Sequence, residues 1–176
     1  MKTLLLHHCC VVCTPKILEY FNNLFIVTGF WFNPNIYPQT ESNKRLDALK
    51  SFSIDFNYNL IVKDDYTYDI WLEEINKNKT INKPDRCKIC YTIRLTETAK
   101  KAKSLNIDSF STTLLISPYQ YHEIIKEVGD KIGKMMGIKF IYNDFRPEFY
   151  NSKNIIYNKK LYMQKYCGCK FSINER

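Results

Sequence analysis

The chain has 176 residues, 45% of them hydrophobic, and carries 26 Lys plus Arg against 18 Asp plus Glu, a net charge of +8. This length fits one domain with a core of its own, and no stretch approaches the roughly 20 apolar residues that a membrane span requires. A basic balance favours a polyanionic partner without identifying it, and a basic surface with no partner satisfies it equally.

In chain order, strand and helix patterns alternate. An apolar strand over 2–6 is followed by Thr14 and Pro15, a cap and a first-position proline that open a helix to about 23. Residues 24–32, rich in β-branched and aromatic side chains, form a second strand that ends in the turn Asn33-Pro34-Asn35-Ile36-Tyr37-Pro38. A helix over about 40–52 puts Leu46 and Leu49 on its apolar side and Lys44, Arg45, Asp47 and Lys50 on its wet side. A third strand over 59–62 and a short helix over 69–75 precede the polar run 76–84, which lacks apolar periodicity and reads as a mobile loop. A helix from 85 to about 105, a strand over 109–115, a helix from 118 to about 136 and a strand over 139–142 complete the pattern. Such alternation predicts a single α/β domain over 1–176, with a doubly wound, mainly parallel five-stranded sheet of Rossmann-like type and right-handed crossovers.

Sheets of this kind place their sites beyond the carboxyl ends of the strands. Cys9, Cys10 and Cys13 follow strand one, Asn33 and Asn35 strand two, Ser117 strand four and Asp144 strand five, so these residues are expected at one edge. Cys87 and Cys90 are expected in the first turn of their helix, where free N–H groups and the positive end of the dipole favour thiolate. Cys167-Gly168-Cys169 has then to fold back so that the C-terminal segment closes over that edge.

The seven cysteines thus form three tight groups. Disulfides fit them poorly, because the count is odd, Cys9 and Cys10 are vicinal, and the apolar run Leu4-Leu5-Leu6 stops at His7 and His8, short of the roughly 7–15 residues of an export signal. A reducing, cytoplasmic setting follows, with metal ligation as the use of the thiols. One tetrahedral zinc needs only four ligands, whereas an iron–sulfur cluster with a second metal beside it uses the surplus; a thioredoxin-like redox pair lacks the surroundings of that motif. His7 and His8 follow a buried strand and read as structural, and His122 reads as a solvated helix residue. Tyr91, Tyr119, Tyr162 and Tyr166 flank the site segments and are placed either for core packing or for stacking on RNA bases.

The run Leu5-Leu6-His7-His8-Cys9-Cys10-Val11-Val12-Cys13, with Phe32-Asn33-Pro34-Asn35-Ile36-Tyr37-Pro38, Arg86-Cys87-Lys88-Ile89-Cys90-Tyr91, Arg94-Leu95, Thr112-Thr113-Leu114, Ser117-Pro118, Asp144-Phe145-Arg146 and Tyr162-Met163-Gln164-Lys165-Tyr166-Cys167-Gly168-Cys169, resembles the cobalamin-independent epoxyqueuosine reductase family from end to end. The family more often has proline where Val12 stands and histidine where Tyr37 stands. The resemblance implies two-electron reduction of an epoxide on a modified wobble guanine of tRNA, a [4Fe-4S] cluster with a mononuclear iron nearby, and an electron donor that the sequence does not identify. Carried onto this chain, it implies Cys10, Cys87, Cys90 and one of Cys167 or Cys169 on the cluster, and Cys9, Cys13 and Asp144 on the second ion. Arg86, Arg94 and Arg146 are the expected phosphate contacts. Two other readings stay open. A cluster-dependent tRNA sulfur transferase would need an ATP-binding glycine-rich loop, but there are only five glycines and none precedes Gly29; a zinc-stabilised RNA-binding module would need no catalysis at all.

Overall fold

A computed structural model of the protein describes residues 2–63, 65–77 and 82–175. Five strands, β1 (Thr3–His8), β2 (Ile26–Trp31), β3 (Leu60–Val62), β4 (Ser109–Thr112) and β5 (Lys139–Phe140), form one sheet in the order β3-β2-β1-β4-β5. Every pairing is parallel, with Leu5 of β1 opposite Thr28 on one side and Phe110 on the other. A parallel strand covered on both faces has no wet side, and β1 accordingly reads as an unbroken buried run from Leu4 to His8.

Six helices flank the sheet: α1 (Pro15–Asn22), α2 (Gln39–Asp55), α3 (Tyr68–Asn76), α4 (Lys83–Ser104), α5 (His122–Met136) and α6 (Phe149–Asn158). α4 packs on α5 and against β1 and β4, while α1 packs on α6 and β2, closing a core around Leu5, Phe21, Phe110, Leu115 and Ile156. The chain winds outward from β1 through β2 to β3, then returns to β4 on the far side of β1. That reversal puts the switch point of the sheet between β1 and β4, beyond whose carboxyl ends folds of this kind place their sites.

Several boundaries differ from the sequence expectation, each for a local reason. α4 starts at Lys83 because the Asn82 side chain accepts the Asp85 N–H at 2.9 Å and Pro84 sits in the first turn, where its missing N–H costs nothing. Cys87 and Cys90 therefore lie beyond the first turn, not in it. Within the polar run expected to be mobile, residues 78–81 lie outside the described residues. β4 stops at Thr112, whose hydroxyl accepts the Leu114 N–H, and the chain tightens into a 3₁₀ turn over Thr113–Ile116. α5 begins at His122, which leaves Tyr119, Gln120 and Tyr121 in the preceding turn. α6 has no counterpart in the sequence reading: its residues are largely polar, and only Phe149, Ser152 and Ile156 are buried.

Candidate metal centre

The loop after β1 brings three thiols together. The sulfurs of Cys9 and Cys10 are 3.7 Å apart, and those of Cys9, Cys10 and Cys13 all lie within 4.8 Å of one another. The loop is fixed on several sides: Thr14 Oγ1 donates to the Cys10 carbonyl at 3.0 Å, Ser152 of α6 donates to the Val12 carbonyl at 2.8 Å, and the Cys9 N–H donates to Thr113 Oγ1 at 3.0 Å. Thr113 in turn donates to the Cys9 sulfur at 3.3 Å. Hydrogen bonds from Cys10 and Cys13 hold the Cys9 thiol well below its ordinary pKa, with help from Arg94 and Thr113, while burial pushes Cys10 up and bonding to Cys10 and Cys9 pushes Cys13 up. Cys9 is thus the sulfur that ionises first.

A second group comes from α4 and the C-terminal segment. Cys87 and Cys90 lie near Cys167 and Cys169, and Cys169 packs against Cys90, Tyr68 and Trp71. Burial raises Cys87 to about 12 and Cys90 to about 11, with the neighbouring thiols adding to the shift. The thiolate-favouring first turn expected for this pair is not where it lies, because α4 starts upstream at Lys83, and burial raises both thiols instead.

The C-terminal segment has no strand or α-helix of its own after α6 and is held by side chains of other elements. Arg45 of α2, expected on the wet side, is 2% exposed; it donates to the carbonyls of Tyr166 and Cys167 at 3.0 and 2.9 Å and to Glu41 at 2.7 Å. The Tyr37 N–H donates to the Gly168 carbonyl at 2.9 Å, and Tyr162 donates to Glu41. Gln164 donates to the Cys10 sulfur at 2.8 Å and Gln120 to the Cys167 sulfur at 3.5 Å, so the segment reaches both thiol groups.

The expected phosphate contacts fall elsewhere. Arg94 is 2% exposed and donates to Asn33 Oδ1 at 2.7 Å and towards the Cys90 sulfur at 3.9 Å, which leaves it no face for a phosphate. Arg86 is buried, paired with Glu175 and laid over the Phe171 ring. Arg146 is half exposed, but its guanidinium is taken by Asp144, whose carboxylate lies outside the three-thiol group. His7 and His8 are buried and depressed to about 3, chiefly by desolvation; His7 bonds Thr112 and the Phe32 carbonyl, and His8 bonds Thr14. The structural reading of both matches their place. His122 is buried rather than solvated, its Nε2 paired with the Ser117 carbonyl.

A scan against protein-family models matches residues 4–175 to the family described as "Epoxyqueuosine reductase QueH". The chain belongs to the epoxyqueuosine reductase QueH family. Curated relatives bearing that name include one from Dehalococcoides mccartyi, 37% identical over 98% of this chain and 93% of the relative, and one from Thermotoga maritima, 33% identical over 100% and 93%. A third, from Streptococcus pyogenes, is 29% identical over 97% of this chain and 70% of its own length. The QueH family is a family of oxidoreductases, and this chain is an enzyme of that class. Sequence reasoning gave no role to Thr113, Gln120 and Gln164, which bond the thiols, or to the Arg45 that holds the Cys167 carbonyl. Thr113 and Gln164 stand within the motifs that carry the resemblance, and Arg45 has the i,i+4 spacing to Glu41 that marks an ion pair; Gln120 left no signal.

Proposed function

We propose that the chain reduces epoxyqueuosine in tRNA to queuosine, the epoxide oxygen leaving as water at the cost of two electrons and two protons. The observation that carries this reading is the three-thiol group of Cys9, Cys10 and Cys13 just beyond β1, with Cys87, Cys90, Cys167 and Cys169 near one another between α4 and the C-terminal segment. Seven soft donors exceed what one ion can use, and they suit iron better than a hard cation. The three-thiol group fits a single iron with a position left open for substrate, and the wider set of Cys87, Cys90, Cys167 and Cys169 fits a four-iron cluster. This allocation moves Cys10 from the cluster to the single iron, because its sulfur lies with those of Cys9 and Cys13. Asp144 is left to Arg146.

Bound there, the iron supplies the reducing electrons and a Lewis acid for the epoxide oxygen. The chain's own residues prepare the site. Thr113 orients the Cys9 sulfur, and the amides of Gln164 and Gln120 donate to Cys10 and Cys167, lowering the basicity of those sulfurs. Electrons come from a donor outside the chain, and a cytoplasmic setting keeps the free thiols reduced. No helix among the described residues is long and apolar enough to cross a membrane.

The test is anaerobic reconstitution with iron and sulfide, then incubation with epoxyqueuosine-containing tRNA and a strong reductant, followed by nucleoside mass analysis. The expected product has lost one oxygen atom. An unchanged nucleoside from iron-loaded protein, or protein that retains zinc alone with no visible charge-transfer absorption, would sink the proposal.

A further inference from the structure

Two arginines are buried against the thiols, and only one has a counter-charge. Arg45 is matched by Glu41 at 2.7 Å. Arg94 has no carboxylate within ion-pair distance among the described residues. Its Nη2 donates to the neutral Asn33 amide at 2.7 Å, its Nη1 points at the Cys90 sulfur at 3.9 Å, and its buried Nε has no partner. A guanidinium does not lose its proton in a protein, so this is a permanent positive charge held out of water with no carboxylate to balance it.

The neighbours say what balances it. Cys9 from the β1 loop, Cys90 one turn earlier on α4 and Cys167 from the C-terminal segment all lie near enough for their ionised forms to stabilise the Arg94 charge. These sulfurs come from both thiol groups, so Arg94 stands between them. We infer that Arg94 is the fixed counter-charge of the metal centre, matched by no carboxylate of the fold and balanced in full by the surrounding sulfurs when they hold the metal. The inference rests on the cysteine-bound iron proposed above.

Two consequences follow from electrostatics. Metal loading balances a buried charge that no carboxylate meets as well as making metal–sulfur bonds, so loading stabilises this fold more than a site without Arg94. A fixed positive charge beside the centre also favours its reduced form, so the midpoint potential sits higher than it would without the charge. The planar fork matters because it reaches Asn33 and Cys90 together.

The experiment compares the parent protein with R94Q, which keeps an amide donor and removes the charge, and R94K, which keeps the charge. Each is reconstituted anaerobically; iron content, midpoint potential and the melting temperatures of metal-free and loaded protein are measured. For R94Q the metal-free form is expected to melt no lower than the parent, the gain in melting temperature on loading to shrink, and the potential to move negative; R94K is expected to stay near the parent in both. The inference is overturned if R94Q keeps the parent's potential and loading gain, if R94K moves as far as R94Q, or if metal-free R94Q melts below the parent, which would make Arg94 a packing residue. Failure of the parent to take up iron is read separately, and it would remove the metal centre on which the inference rests.

Discussion

The Asp144 carboxylate, just beyond β5, accepts from Arg146 Nε at 2.9 Å and from its backbone N–H at 3.1 Å, and it is depressed to about 2, chiefly by the side-chain hydrogen bond from Arg146. A carboxylate whose folded pKa lies below its unfolded value of about 3.9 stabilises the fold above that value, and the contribution is lost as pH falls towards 2. Both side chains are substantially exposed, at 40% and 48%, so solvent screening limits the pair to about 1 kcal/mol or less. Asp144→Ala is therefore expected to lower the melting temperature at pH 6 by no more than about 2–4 °C, with the difference from the parent vanishing near pH 2. Iron content should not change. Loss of one iron per chain would return this carboxylate to the metal. The buried histidines act in the same direction but in another window. His7 and His8 stay neutral in the fold to about 3, so they contribute stability above the unfolded value of about 6.5 that is lost progressively as pH falls through 6.5 towards 3 in parent and variant alike.

Among the elements, the C-terminal segment owes its order to residues far away in sequence. Gly168 has φ of +141°, and a Cβ there would lie 3.2 Å from Arg45 Nη1, Asn35 Nδ2 and Ile36 Cγ1. Gly168→Ala meets both the backbone strain and the contact, a cost of about 1–3 kcal/mol borne by the segment rather than by the sheet. The expected outcome is a protein with unchanged circular dichroism that yields rapid proteolytic cleavage after α6 and holds less iron; intact resistance to protease with full iron would show that the segment tolerates the side chain. The same dependence explains what the sequence disclosed. β1 and β2 were legible because parallel strands covered on both faces carry apolar runs, here Leu4–Leu6 and Val27, Phe30 and Trp31. The place of Cys9, Cys10 and Cys13 just beyond β1 followed from topology. Arg45 was assigned to solvent because periodicity records which helix face is apolar, not which charge another segment will cover. α6 was missed because Asn151, Asn154 and Asn158 weaken the helical signal, and its three buried residues gain their meaning from distant partners, among them α1 and the Val12 carbonyl. The start of α4 was misplaced because Pro84 reads equally as loop or as first turn.

For the whole molecule, the net charge of +8 has to be placed before it can be given a role. Of the arginines first expected to meet phosphate, Arg86 and Arg94 are buried and Arg146 is half exposed but paired with Asp144, so less committed cations are better placed for RNA. The exposed cations nearest in sequence to the C-terminal cysteines are lysines instead. Lys160, Lys165 and Lys170 are exposed and have no carboxylate within 4.0 Å among the described residues. They lie on the segment that closes over the thiols, so a polyanion reaching the centre passes beside them. Each lysine that neutralises a phosphate releases counterions, and its removal flattens the dependence of log K on log salt by about 0.7 to 0.9. For tRNA binding followed by fluorescence anisotropy over a salt series, Lys160→Ala, Lys165→Ala and Lys170→Ala are each expected to weaken binding at low salt and to flatten the slope by that amount. R94Q should leave the slope unchanged, because a charge 2% exposed behind the thiols displaces no counterion. Unchanged slopes in all three lysine variants would move the RNA contact to another face, and a flattened slope in R94Q would mean that the site opens far enough for phosphate to reach α4.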